Sequence, residues 1–204
     1  MTREPFPSRL VRRCGVPRRF ASLELREMED YGDRVYTRQL ARVGEIGEAL
    51  RGGSSPIYVY LSGKLGSGKT RLAAWLLAQH YMHVVESRTG ATGRQPLFTS
   101  AAALTELRFR QTGEEDLERA GKLEQVFHGS FLVIDDLARI PGYKGEEAFL
   151  ERVVEERYNA ELSTVLTGNA KTGVFGERFA DFLTYFTEIV LVGKSRSERA
   201  GRSK

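Results

Sequence analysis

At 204 residues the chain is long enough for one domain with a substantial core. No apolar run approaches the roughly 18 residues of a membrane-spanning helix, and the single Cys14 excludes an intrachain disulfide or paired-cysteine zinc site and suits a reducing, cytosolic compartment. The net charge of +4 is uneven: residues 1–20 carry +5, residues 193–204 carry +4 and residues 21–192 carry −5. Basic ends on a mildly acidic body suit a polyanionic partner, and equally suit solvated tails.

Residues 1–30 are expected to be a basic arm and linker, residues 31–196 the core and residues 197–204 a basic tail. The arginine-rich start has the composition of some transit peptides, but Pro5, Pro7, Gly15 and Pro17 argue against the amphipathic helix such a leader needs. Tyr36, Leu40, Val43 and Leu50 recur near one face of a helix over Tyr31 to Leu50, which stops at Gly52-Gly53. Ile57 to Leu61 is an apolar, β-branched and aromatic run that reads as a buried strand. Thr70 to His80 follows as a helix carrying Leu72, Ala73, Leu76 and Leu77 at helical spacing.

Between that strand and helix lies Gly63-Lys64-Leu65-Gly66-Ser67-Gly68-Lys69-Thr70, which meets the P-loop pattern G-x-x-x-x-G-K-[ST] at every fixed position. Glycines let the backbone take positive φ and close around phosphate oxygens where a Cβ would clash. The N–H groups of such a loop, with the positive end of the following helix, make an anion site. Lys69 would reach the β- and γ-phosphates, and the Thr70 hydroxyl would ligate Mg²⁺. The expected nucleotide-holding set is Gly63, Lys64, Gly66, Ser67, Gly68, Lys69, Thr70 and Arg71, with ATP and Mg²⁺ as cofactors.

Beyond a polar loop at residues 86–95, Pro96 to Thr99 reads as a short strand and Ser100 as the N-cap of a helix from Ala101 to Arg110. A helix resumes from Glu114 to Phe127, and Phe131 to Ile134 then runs into Asp135-Asp136. Phe149, Leu150, Val153, Val154 and Tyr158 mark the buried face of the next helix. Ser163 to Thr167 is a strand, Phe175 to Tyr185 a helix and Glu188 to Val192 a last strand. Strands alternating with helices specify an α/β domain, a parallel five-stranded sheet with helices on both faces. A whole strand-and-helix unit separates the P-loop strand from the Asp-Asp strand, as in the additional-strand branch of P-loop NTPases that includes the AAA+ proteins.

Asp135 ends a neighbouring parallel strand, where a carboxylate faces the Mg²⁺ held by Thr70. Asp136 stands where such ATPases often carry the glutamate that polarises the attacking water. Aspartate is one methylene shorter, so slow hydrolysis is expected. Asn169 ends a strand expected between the other two, within reach of the γ-phosphate or the lytic water, or serves as an ordinary turn residue.

Cys14-Gly15-Val16-Pro17-Arg18-Arg19-Phe20 resembles the C-G-[IV]-P-x-R-[FY] entry segment of the DnaC/IstB-like ATPases. The loop GKLGSGKT, the strand end VIDDLA, VLTGN and Gly176-Glu177-Arg178-Phe179-Ala180-Asp181 resemble the same family in matching order, over residues 14–196. The resemblance implies an AAA+ ATPase with little or no lid domain. It also implies Asp136 at the water-activating position, Asn169 as nucleotide sensor and Arg178 as an arginine finger toward a neighbouring subunit. Arg178 is otherwise a helix-surface arginine beside Glu177 or Asp181. Arg196 resembles the arginine of the family's terminal Ser-Tyr-Arg, although the tyrosine is missing here. Phe182 stands where many members have a second arginine.

The family comprises replicative helicase loaders and helper ATPases of transposases. The implied partners are therefore a replicative helicase or a transposase, single-stranded DNA and further copies of the chain in a nucleotide-dependent oligomer, with no membrane. Arg108, Phe109 and Arg110 are the candidate DNA contacts, with Phe109 stacking on a base or packed in the core. A small-molecule kinase would also need an arginine-rich lid and an acceptor pocket, neither of which is evident. A nucleotide-gated binding module that barely hydrolyses is the other reading left open by Asp136.

Overall fold

The computed structural model describes residues 6–22, 24–31, 34–86, 95–109, 115–137, 144–169 and 177–193. Five strands, β1 (Tyr58–Gly63), β2 (Leu97–Ser100), β3 (Phe131–Asp135), β4 (Ser163–Gly168) and β5 (Thr187–Leu191), form one sheet in the order β2-β3-β4-β1-β5. Every pairing is parallel, so all five strands point their C-terminal ends to the same edge. Seven helices are described: α1 (Phe6–Cys14), α2 (Arg34–Arg51), α3 (Lys69–Glu86), α4 (Ala101–Phe109), α5 (Glu115–His128), α6 (Lys144–Asn159) and α7 (Glu177–Leu183). This is the expected α/β architecture, and β4 lies between β1 and β3, where the strand ending in Asn169 is expected.

Pleat alternation sends β1 side chains to opposite layers. Val59 and Leu61 join the cluster formed with α1, α2 and α3, whereas Tyr60 joins the cluster formed with α4 to α7. Covered on both faces, β4 (Ser163–Gly168) is buried along its whole length, its hydroxyl-bearing Ser163, Thr164 and Thr167 included. Ser100 caps α4 as expected, its Oγ accepting from Ala103 N–H at 3.1 Å. Among the described residues no helix is long and apolar enough to cross a membrane.

Two expectations change. The prolines do not prevent a helix near the start: α1 spans Phe6–Cys14 with Pro7 in its first turn, where the missing N–H costs nothing. Nor does the packing open at residue 30. Leu10, Cys14, Val16, Ala21 and Met28 are buried in the same cluster as α2 and α3, so the described part of the expected arm is woven into the core.

Candidate nucleotide-binding site

The site forms where β1, β3 and β4 end together, at the sheet edge that α/β proteins use for ligands. Gly63 turns the chain out of β1 at φ +141°, and a Cβ there would run into the Leu191 carbonyl of β5. Gly66 and Gly68 continue the turn at φ +80° and +99°, the left-handed region that favours glycine. From Lys69 the chain is helical, so the first-turn N–H groups of α3 lack intrahelical acceptors and face the loop's concavity. The loop is braced from outside, because the Tyr36 hydroxyl on α2 donates to Ser67 O at 3.0 Å.

Lys69 folds back over its own loop, Nζ donating to Gly63 O at 2.8 Å and Lys64 O at 2.9 Å. Burial lowers its pKa, while the carboxylates of Asp136 and Asp135 act in the opposite sense. Lys69 thus lies on the loop carbonyls, within the field of the acid pair.

Asp135 ends β3 and meets α3 directly. The Thr70 hydroxyl donates toward both of its oxygens, at 3.0 Å to Oδ1 and 3.2 Å to Oδ2. Asp135 lies two strands from β1, with β4 between as expected, and α3 bridges the gap by packing over β1, β4 and β3. Burial raises the Asp135 pKa, opposed by hydrogen bonds from Thr167 and Thr70, with Asp136 adding to the rise and Lys69 countering it. Thr70 and Asp135 are hard oxygen donors within 3.0 Å of each other, a set that fits Mg²⁺.

Asp136 is held in the left-handed region at φ +60°, with its N–H donating to Thr167 Oγ1 at 2.9 Å. Asn169 is exposed at the tip of β4, between the P-loop strand and the Asp135 strand, and its backbone oxygen accepts from the Tyr60 hydroxyl at 3.1 Å. Arg71, at the start of α3, reaches toward the N-terminal segment. Its Nη2 pairs at 3.1 Å with Glu27 of the 3-10 segment Leu25–Tyr31, which ties the N-terminal segment to the start of α3. Lys64 is exposed at the loop's rim, whereas Ser67 is buried beneath it.

Arg178 lies in α7, but its side chain falls outside the described residues, as do the side chains of Arg108 and Phe109 and the whole of Arg110 and Arg196. Thr167 is the functional residue that sequence inspection passed over. Its one signal was a hydroxyl two positions before a strand-terminal Asn, hence on the same face of the strand.

No family model and no curated protein matches the chain. Solved structures do. DnaI matches with a TM-score of 0.62 at 19% identity, over 88% of this chain and 93% of that one. The DnaC helicase loader matches at 0.53 and 19%, over 81% and 98%. The replication initiator DnaA bound to AMPPCP and single-stranded DNA matches at 0.58 and 15%, over 86% of this chain and half of the DnaA chain. At these identities the likeness establishes the fold, so the chain is a P-loop protein of AAA+ architecture. Within that architecture its neighbours include the DnaC-type structures that the motif resemblance implied.

Proposed function

We propose that this chain is a Mg·ATP-binding, slowly hydrolysing AAA+ ATPase of the DnaC/IstB-like kind. It acts in DNA replication as a helicase loader that engages single-stranded DNA and a replicative helicase. The observation that carries this is the Thr70–Asp135 contact, which joins the end of the P-loop to an acid two strands away. The loop N–H groups and Lys69 would hold the triphosphate, and Thr70 and Asp135 would hold the magnesium. When bound, Mg²⁺ neutralises phosphate charge and fixes phosphate geometry. Asp136 would orient and deprotonate the attacking water, Asn169 would sense the terminal phosphate, Arg196 would sense nucleotide within the subunit, and Arg178 would reach the nucleotide of a neighbouring copy. Arg71, paired with Glu27, serves best as a strut behind the loop rather than as a nucleotide ligand.

The loader reading is favoured over the transposase helper because the neighbours whose names state a role, the DnaC helicase loader and the DnaA initiator, belong to replication. The test is a loading assay on circular single-stranded DNA with a replicative helicase from the same genome. Mg·ATP-dependent retention of the helicase, lost in Lys69→Ala, is expected. Stimulation of a transposase with no effect on the helicase would overturn the loader assignment. Absence of any Mg·ATP binding by calorimetry would overturn the nucleotide site itself.

A further inference from the structure

One hydroxyl stands between the two carboxylates of the site. Thr167 Oγ1 donates to Asp135 Oδ1 at 2.6 Å and accepts the backbone N–H of Asp136 at 2.9 Å. Its side chain is 1% exposed, so water does not compete for either bond. The Asp135 oxygen that Thr167 holds is also the nearer partner of Thr70. The same hydroxyl anchors the backbone of Asp136 at φ +60°, a region that few side-chain-bearing residues other than Asp and Asn adopt.

We propose that Thr167 is a positioning residue for the nucleotide site: through a single hydroxyl it aims Asp135 at the Thr70 side of the metal position and locks Asp136 in the left-handed turn that presents its carboxylate. This rests on the nucleotide site proposed above. The hydroxyl uses its proton on Asp135 and a lone pair on the Asp136 N–H, so both roles fall together when it is removed. It also makes β4 a mechanical link. Asn169 follows directly on β4, two residues beyond Thr167, so a shift of Asn169 toward a bound phosphate would be felt at both carboxylates through β4. Among the described strands only β4 is placed to do this, because it alone lies between β1 and β3.

Thr167→Val keeps the shape and removes both hydrogen bonds, whereas Thr167→Ser keeps the hydroxyl and removes only a methyl. In Val the magnesium concentration that half-saturates binding of a fluorescent ATP analogue is expected to rise about tenfold, the weight of one charge-assisted hydrogen bond. Affinity measured in EDTA should be unchanged, because the phosphate loop is untouched. Turnover at saturating magnesium should fall about tenfold or more with little change in KM, since Asp136 is no longer held. Thr167→Ser should restore magnesium dependence and turnover to within about twofold of the parent. A Val variant with parental magnesium dependence and turnover overturns the proposal. So does a Ser variant as defective as Val, which would make the methyl rather than the hydroxyl the cause.

Lys69→Ala is the control that separates the two levels. If it leaves nucleotide binding intact, the site assignment fails. If it abolishes binding while Thr167→Val behaves as the parent, only the role of Thr167 fails. Should Val not fold, hydrogen exchange in the unmodified protein decides. The Asp136 amide is expected to be protected despite lying beyond the end of β3, and rapid exchange there would overturn the proposal.

Discussion

Gly15 lies directly against Phe98. With φ +72° at Gly15, a Cβ would sit 2.7 Å from the Phe98 carbonyl oxygen of β2. The neighbouring residues are sealed in place, Cys14 and Val16 being buried in the core cluster and Val16 N–H donating to Leu10 O at 3.4 Å. The Cys14 thiol is pushed up to about 12 by burial, which keeps it protonated and unreactive. The C-G-V-P stretch thus owes its residue types to packing at the edge strand.

Gly15→Ala should therefore destabilise the fold by about 2 kcal/mol or more, since left-handed strain and the close carbonyl add. For a chain of this length that is a melting-temperature loss of roughly 4–8 °C. Differential scanning calorimetry checks it, and an unchanged melting point would contradict the close approach.

His80 packs on the Phe131 ring at 5.0 Å, and its Nε2 is 2.9 Å from Ser130 Oγ. Burial, with the positive fields of His83 and Arg157, lowers its pKa from 6.5 to about 4. The folded protein thus resists a proton that the unfolded chain accepts near its ordinary pKa. Between those two values the unfolded state holds more protons, so stability falls as pH falls. The loss is complete below about pH 4 and is on the order of 3 kcal/mol. Urea unfolding at pH 7 and pH 5 should show this decline in the parent, and His80→Asn should flatten it. A variant with the same slope as the parent would remove His80 as the source.

Arg157 is fully buried, and among the described residues it makes no ion pair with a carboxylate. Nη1 donates to Val126 O and Gly129 O at 2.9 Å each, Nη2 to Ser163 O at 2.7 Å and Nε to Thr164 Oγ1 at 3.0 Å. Burial lowers its pKa to about 9, which still leaves it charged at neutral pH. The guanidinium fork pins the end of α5 and the end of α6 to the start of β4. Arg157→Lys keeps the charge but cannot span four acceptors with one ammonium. It should cost about 3 kcal/mol through the carbonyls left unpaired. Denaturant melts measure this, and a variant as stable as the parent would show that the fork is dispensable.

What was legible in the sequence, and what was not, divides along a physical line. The P-loop, its strand and its helix were legible because glycine spacing, an apolar run and helical periodicity agree over one short stretch. The strand ending in Asn169 was expected between β1 and β3, where β4 lies, and Ser100 was legible from its hydroxyl at a helix start. Features that depend on contacts distant in sequence were not legible. Thr167 acquires its role only when β4 is laid beside β3, 32 residues away from Asp135. Arg157, in Glu155-Glu156-Arg157, looks like part of a solvated charge run until α6 is docked. Arg71 looked like a ligand because of its neighbours in the P-loop, but the 3-10 segment carrying Glu27 lies against it.

Asp136 links backbone shape to rate. Aspartate is among the few side-chain-bearing residues that populate φ near +60° readily, whereas glutamate gains less there from local hydrogen bonding. The departure from the usual glutamate therefore fits the turn that Thr167 anchors. In the proposed site the shorter side chain would leave the attacking water further from Asp136, and hydrolysis is expected to be slow. Asp136→Asn preserves the turn, because asparagine tolerates the same backbone, but it removes the proposed base. Single-turnover phosphate release should fall about 10²- to 10⁴-fold, while Mg·ATP affinity stays within about threefold, because Thr70 and Asp135 are untouched. Hydrolysis by the Asn variant at the parental rate would exclude Asp136 as the base. A parental turnover on the order of tens per second would contradict the short-carboxylate account of the slow step.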